Sequence, residues 1–232
     1  MQSVVKLLPA LILLGVPGAV DAENYLPLDL GNSWGYEAEN LAETRTVTGD
    51  LEIFDRQFTV ISYSPSSSNE GLTNFWTSDD AGNVHVGGFY LTGDFGFAYD
   101  PPIQVVKGPL SVGASWSQTV AVFSYPDLVA QGSLDIAYEV FEEGVLTVPY
   151  GEFFAFGIGR TDPGSFLDGY SLVGERRDDS EGGSAWDWWT DGLGQPQYRA
   201  DGLYQLVITD VPTPIELRTW GSIKHQFGTL DR

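Results

Sequence analysis

A turn-and-strand motif occurs twice in this chain and constrains its fold more than any other feature. The first copy is Pro27-Leu-Asp-Leu-Gly-Asn-Ser-Trp34, and the second is Pro109-Leu-Ser-Val-Gly-Ala-Ser-Trp116. In each copy proline ends the preceding element, glycine permits a backbone conformation that other residues avoid, and tryptophan anchors a new strand in the core. The repeat predicts two related halves, 23–102 and 103–232. The residues that it predicts to be structural are Trp34, Trp116, Gly31 and Gly113.

The segments between turn signals are short and alternate apolar with polar residues, as half-buried strands do. The clearest is Ser133–Phe141, in which every second residue from Leu134 is apolar. No stretch beyond the N-terminal segment shows helical spacing. The sequence therefore predicts an all-β fold, an antiparallel sandwich or barrel-like sheets, with no helix in the mature chain.

Local signals also predict where the chain turns. Gly49-Asp50 and Glu142-Glu-Gly144 are predicted turns between strands, and Ser78-Asp-Asp-Ala-Gly82 is a predicted hairpin turn. Asp100-Pro-Pro102 is expected to end a strand, because proline cannot donate to a ladder.

The first residues are typical of a secretory signal peptide. Lys6 precedes the apolar run Leu7–Val16, and Val20-Asp-Ala22 provides small residues for cleavage. The apolar run is too short to cross a bilayer. We therefore expect a signal peptide at 1–22, a mature all-β domain at 23–232 without a transmembrane span, and a secreted or periplasmic location.

Composition excludes several classes of function. With 32 acidic and 11 basic residues, the net charge of −21 repels phosphate backbones, so nucleic acid is not an expected partner. The chain has no cysteine, which rules out thiolate metal sites and cysteine nucleophiles. Its aromatic content of 13% argues against disorder, because disordered acidic chains lack such residues.

The segment Tyr25-Leu-Pro-Leu-Asp-Leu-Gly-Asn-Ser-Trp-Gly-Tyr36 resembles the opening of a broad group of secreted bacterial β-proteins. Thr147-Val-Pro-Tyr-Gly-Glu-Phe153 is similar to that group's Pro-x-Gly-x-Phe element, and Trp188-Trp-Thr-Asp-Gly-Leu-Gly194 to its aromatic turn. The resemblance implies an exported β-fold. It implies no defined activity and no catalytic residue.

The aromatic run at Trp186–Trp189 is the strongest candidate for a binding surface. Exposed indole faces could stack on sugar rings, with the neighbouring carboxylates as hydrogen-bonding groups. Along a strand Trp189 faces the other way from its two companions, so at least one of these rings is expected in the core. The candidate binding residues are Trp186, Asp187, Trp188 and Asp191.

Acidic loops are the candidate metal ligands. Carboxylates there could bind calcium, although the regular calcium-loop spacing is missing and short acids also cap turns. The candidates are Asp79, Asp80, Asp178 and Asp179. The histidines His85 and His225 have no partner at ligand spacing, and no other cofactor motif is present.

These patterns predict an exported, non-catalytic β-protein that serves as a binding or surface-associated structural module. Its partner would be a glycan or another extracytoplasmic protein. The alternative is a secreted carbohydrate-active enzyme that uses an Asp/Glu pair near Trp186–Trp189. Two carboxylates about 5 to 10 Å apart in a cleft beside those indoles would favour the enzyme.

Overall fold

The computed structural model describes residues 24–38, 41–64, 71–92, 95–160, 186–199 and 203–209. Their twelve strands form a closed antiparallel barrel, in which each strand pairs with its neighbours in the chain and the twelfth pairs with the first. The strands are β1 Ser33–Ala38, β2 Leu41–Ile53, β3 Arg56–Tyr63, β4 Leu72–Ser78, β5 Val84–Leu91, β6 Gly96–Val106, β7 Ser115–Tyr125, β8 Ala130–Val148, β9 Gly151–Arg160, β10 Trp186–Thr190, β11 Gly194–Arg199 and β12 Leu203–Thr209. The predicted all-β, barrel-like fold is confirmed.

The described ranges contain no helix, and so none that is long and apolar enough to cross a membrane. The predicted signal peptide and the loop carrying Asp178, Asp179 lie outside them, as does His225.

The interior of the barrel is packed with large side chains. The turn that follows β10 and the start of β11 also enter this interior, where residues 192–196 are buried. The indole N–H of Trp34 donates to the carbonyl of Leu193 at 2.6 Å, and the Tyr36 hydroxyl donates to the carbonyl of Gln195 at 3.0 Å. Side chains of β1 therefore bind the β10–β11 turn and β11 directly, in addition to the pairing of β1 with β12.

A second apolar cluster lies on the outside of the barrel wall, around Phe58 and Phe75. The Phe58 ring covers Gly87 of β5, where a Cβ would collide with it. Beyond it, Arg56 pairs with Asp100 of β6 at 3.1 Å. The end of the β2–β3 hairpin therefore crosses the outer face of the neighbouring strands.

Two predicted turns are wrong. Gly49-Asp50 lies inside β2, where a β-bulge falls between Val47 and Gly49. Glu142-Glu-Gly144 lies inside β8, which continues to Val148 after a bulge at Phe141. A bulge adds an unpaired residue and bends the strand without reversing it, so its sequence signal resembles that of a turn.

The expected end of a strand at Asp100-Pro-Pro102 is also wrong, because β6 runs through both prolines. Its ladder with β7 stops at Asp100, and its ladder with β5 is irregular between Val86 and Gly88. Proline is tolerated at such an irregularity because no ladder bond needs its missing N–H.

Candidate functional site

Among the strand residues whose side chains the structure describes, the end of the β8–β9 hairpin presents the most exposed apolar ladder pair. Val145 of β8 lies directly opposite Phe154 of β9 in the ladder. Their exposed fractions are 69% and 56%. Facing side chains in an antiparallel ladder are close enough to form one surface. We call Val145 and Phe154 the tip pair.

The hairpin end can expose one face because its other face is buried. Leu146, Val148 and Phe153 pack against the main core. The backbone N–H of Tyr150, in the turn, donates to the carbonyl of Leu206 in β12 at 3.0 Å. The tip is therefore held across the barrel to β12, and the side opposite these contacts faces outward.

One face of β9 is buried in the barrel and becomes exposed towards the end of the hairpin. Phe156 and Ile158 pack on the core higher in the strand, whereas Phe154, two residues earlier, is exposed. The ladder with β10 begins only at Phe156, so the end of the hairpin is a two-stranded ribbon. The Phe154 ring meets the Phe156 ring edge to face, with centroids 5.5 Å apart. Two-stranded ribbons twist more strongly than wide sheets, which exposes this face at its Phe154 end.

Carboxylates flank the tip pair on the same face. In the ladder Glu143 lies opposite Phe156, and Glu152 lies opposite Thr147. Each glutamate is two positions from a member of the tip pair, and both are exposed. The exposed part of this face therefore has an apolar centre with a glutamate on either side, and the Phe154 ring also meets Phe156 at 5.5 Å, where the face reaches the core.

A second aromatic contact lies on the barrel wall nearby. The Phe141 ring covers Gly157 and Gly159, where a Cβ at Gly157 would be 2.6 Å from its nearest ring atom. Its centroid is 6.2 Å from Trp188, edge to face. The two glycines, which have no side chains, let the Phe141 ring lie directly on the backbone of β9. Trp188 is half-buried beside Phe141.

The predicted aromatic surface is only partly external. Trp189 is in the core, 6.4 Å from the ring of Trp76, while Trp188 is half-buried on the wall. Trp186 begins β10 and pairs with Gly159. The alternation expected along this strand thus places one indole inside the barrel.

The two predicted acidic binding residues have different positions. Asp187 is half-buried and lies opposite Ile158 in the ladder, on the other face from Trp188. The Asp191 carboxylate accepts the backbone N–H of Asn24 at 2.8 Å. Asp191 therefore ties the N-terminal segment to the β10–β11 turn.

Asp79 stabilises the β4–β5 turn. Its carboxylate accepts the backbone N–H groups of Ala81 and Asn83 at 2.9 and 3.0 Å, and the Asn83 side-chain amide at 2.9 Å. Although desolvation acts in the opposite direction, the bonds from Asn83 and Ala81 lower the pKa of Asp79. Asp80 is exposed. Within the described ranges no three His, Asp or Glu side chains are grouped to hold a metal, and calcium binding stays a prediction.

A buried ion pair of β2 lies in the interior of the barrel. Arg45 donates to Glu43 at 2.7 Å and to the side-chain carbonyl of Gln195 at 2.9 Å. Its guanidinium lies 4.8 Å from the ring centroids of Tyr36 and Tyr63. Both charged side chains are almost wholly buried, so this cluster stabilises the interior and offers no accessible site.

The tip pair was not among the predicted binding residues, although the sequence contains a signal for it. Val145 and Leu146 are consecutive apolar residues, as are Phe153 and Phe154, so both faces of the hairpin end are apolar. Apolar residues on both faces require either burial on both sides or an exposed apolar surface.

No protein-family model and no curated protein matches the chain. Two solved structures are similar to it. One, from Bacteroides fragilis NCTC 9343 and described as an exported protein with a YmcC-like fold, has a TM-score of 0.45 at 11% identity, covering 81% of this chain and 99% of that one. The other, from Parabacteroides distasonis ATCC 8503 and described as a lipoprotein, has a TM-score of 0.33 at 11% identity, covering 82% and 100%. Both similarities are too weak to assign a function.

Proposed function

We propose that this protein is exported and works as a non-catalytic binding module whose contact surface is the tip pair. The observation that carries the proposal is the exposure of Val145 and Phe154, directly opposite each other on a ribbon fastened to the barrel. Exposed apolar groups that adjoin one another, with a polar rim, are typical of interaction sites. The fixed position of the ribbon lowers the entropy lost when a partner binds.

Export is supported by the sequence of residues 1–22, which has the charge, apolar run and small residues of a signal peptide. N-terminal sequencing of protein recovered from outside the cytoplasm should begin at Glu23. Recovery there with Met1 intact would contradict this part of the proposal.

The contact surface is tested by crosslinking in intact cells. A photoreactive benzoylphenylalanine replaces Phe154 in one variant and Ser117, exposed on β7, in the control. We expect a discrete crosslinked product from position 154 and none from position 117. Equal products from both positions, or none from position 154, would contradict a binding role for the tip pair.

The carbohydrate-active alternative gains no comparable support. Trp189 is a core residue, and the Asp191 carboxylate accepts a backbone N–H in a structural turn.

A further inference from the structure

We infer that the tip pair binds an extended polypeptide segment in which one apolar side chain lies between two basic side chains, at every second residue. The inference rests on the proposed function and names the chemistry of the partner. It is carried by the order of side chains along the outward face of the ribbon.

The ladder sets the spacing. Going along the ribbon, the ladder pairs on this face are Glu143 with Phe156, then the tip pair, then Thr147 with Glu152. In the first pair Glu143 is exposed, whereas Phe156 packs on the core. Side chains two positions apart on a strand are separated by about 7 Å. A glutamate therefore lies about 7 Å from the apolar centre in each direction along the ribbon.

An extended peptide has the same repeat, because its alternate side chains share one face and one spacing. A segment of the form Lys-x-Leu-x-Lys can place its leucine on the tip pair and an ammonium group near each glutamate. Exposed charges of this kind contribute more to orientation and to the rate of association than to affinity.

The surrounding charge favours a basic partner over other occupants. Between residues 130 and 160 the acids are Asp135, Glu139, Glu142, Glu143 and Glu152, and the base is Arg160. The whole chain carries −21. Such a field repels a second copy of the chain and an anionic lipid surface, and it attracts cationic segments.

The test is fluorescence anisotropy with the mature chain and labelled peptides in Gly-Ser flanks. The probe contains Lys-Ser-Leu-Ser-Lys. The comparison peptides contain Lys-Lys-Leu-Ser-Ser, Lys-Ser-Ser-Ser-Lys or Glu-Ser-Leu-Ser-Glu. We expect the probe to bind most tightly, and its binding to weaken as salt is raised.

Two double variants separate the apolar and charged contributions. Val145→Ser/Phe154→Ser should weaken binding of the probe about tenfold or more, because the apolar contact is lost. Glu143→Gln/Glu152→Gln should weaken it about threefold at low salt. The controls are Val129→Ser, an exposed apolar residue in the β7–β8 turn, and Glu37→Gln/Asp127→Asn, which removes two exposed charges elsewhere. Both controls should bind the probe as the unaltered protein does.

Several results would overturn the inference. Equal binding of the Lys-Lys-Leu-Ser-Ser peptide would show that the spacing of the basic residues does not matter. Equal binding of the Lys-Ser-Ser-Ser-Lys peptide would show that the leucine makes no apolar contact. A dimer in sedimentation velocity that Phe154→Ser disrupts would assign the surface to a second copy. Flotation with phosphatidylglycerol vesicles that the same change abolishes would assign it to lipid. No peptide binding, together with crosslinks at position 154 in cells, would reject this partner chemistry and leave the proposed function standing.

Discussion

The two copies of the turn-and-strand motif form the same backbone structure with different side-chain partners. In the first, the N–H of Gly31 donates to the carbonyl of Val47 in β2 at 3.0 Å; in the second, the N–H of Gly113 donates to that of Val140 in β8 at 2.8 Å. The two glycines have φ angles of +90° and +84°. The exposed aliphatic residue before each glycine is Leu30 or Val112. The motif thus specifies one turn, used twice.

The residue that faces each tryptophan across the ladder differs. Trp34 pairs with Arg45, which is bound to Glu43, whereas Trp116 pairs with Tyr138 and stacks on it at 5.5 Å. The same backbone turn is therefore followed by a tryptophan that faces a buried ion pair in one copy and by one that stacks on a tyrosine in the other. The local motif decides how a strand begins, and its facing residue decides what fills the core.

The largest expected effects come from removing the two indoles. Trp34→Ala should lower the free energy of unfolding by about 5 kcal/mol, and Trp116→Ala by about 3 kcal/mol, within the range for large core aromatics. The first change also leaves the buried carbonyl of Leu193 without its indole donor. The carbonyl that loses its donor in the second change belongs to Gln104, which is only half-buried, so this loss costs less. Urea unfolding measures both, and a larger loss for Trp116→Ala would reverse the comparison.

The buried ion pair should be the next most sensitive feature. Arg45→Met leaves the Glu43 carboxylate without its counter-ion and should cost about 3 kcal/mol. Glu43→Gln/Arg45→Met should recover much of that loss, because no isolated charge remains inside. The matched change is Tyr138→Met, because Tyr138 faces Trp116 as Arg45 faces Trp34. It should cost about 1 kcal/mol, because the ring stack is lost. A double-mutant cycle by chemical denaturation gives these values; equal costs for the two single changes would contradict the distinction.

The shared turn predicts equal, smaller effects at its two glycines. Gly31→Ala and Gly113→Ala should each cost about 1 to 2 kcal/mol, since a side chain disfavours the left-handed backbone there. An added Cβ meets nothing within 4 Å at either position, so crowding does not contribute. Gly144→Ala is the control, because its surroundings are equally open and its φ is not in that region. Thermal unfolding that shows a loss at one glycine alone would mean that the turns are not equivalent.

The smallest expected effect is a dependence of the unfolding free energy on pH, caused by His85 of β5. Burial lowers the pKa of His85 below its usual value of 6.5; the Asp79 carboxylate opposes this shift and Arg56 adds to it. The folded protein therefore binds this proton less well than the unfolded chain, and stability present above pH 6.5 should fall as the pH drops through that value. His85→Gln should flatten the slope of the urea midpoint against pH just below 6.5. An unchanged slope would show that His85 does not contribute.

The sequence predicted the features that depend on local rules. Gly31 and Gly113 are at positions that require a positive φ, and alternation predicted most strands. The β2–β3 turn escaped prediction, because Phe54 and Asp55 have φ angles of +52° and +58° without the glycine or asparagine usual there. The Phe54 ring packs against Phe123 at 4.9 Å, so a contact distant in sequence compensates an unfavourable local conformation.

The candidate site was less predictable for a related reason. Whether Val145 or Leu146 faces the core depends on the bulge at Phe141 and on the twist of the two-stranded ribbon. The alternation of apolar and polar residues predicts neither of these. The position of Asp191 beside the tryptophan run predicts a binding residue, whereas its structural bond to Asn24 joins residues 167 positions apart. Short-range patterns do not report such contacts.

The pairing of β12 with β1 has a consequence for how the chain reaches its folded form. The Thr209 hydroxyl donates to the carbonyl of Ser33 across 176 positions, whereas the other ladders join strands that are neighbours in the chain. Hairpins between neighbouring strands can form early. The barrel can close only once residues 203–209 are present and the two ends of a very long loop have met. Until then β1 and β11 each have an unpaired edge that can join another chain. A nascent or truncated chain that stops before β12 should therefore be the species most prone to aggregation and most in need of a chaperone.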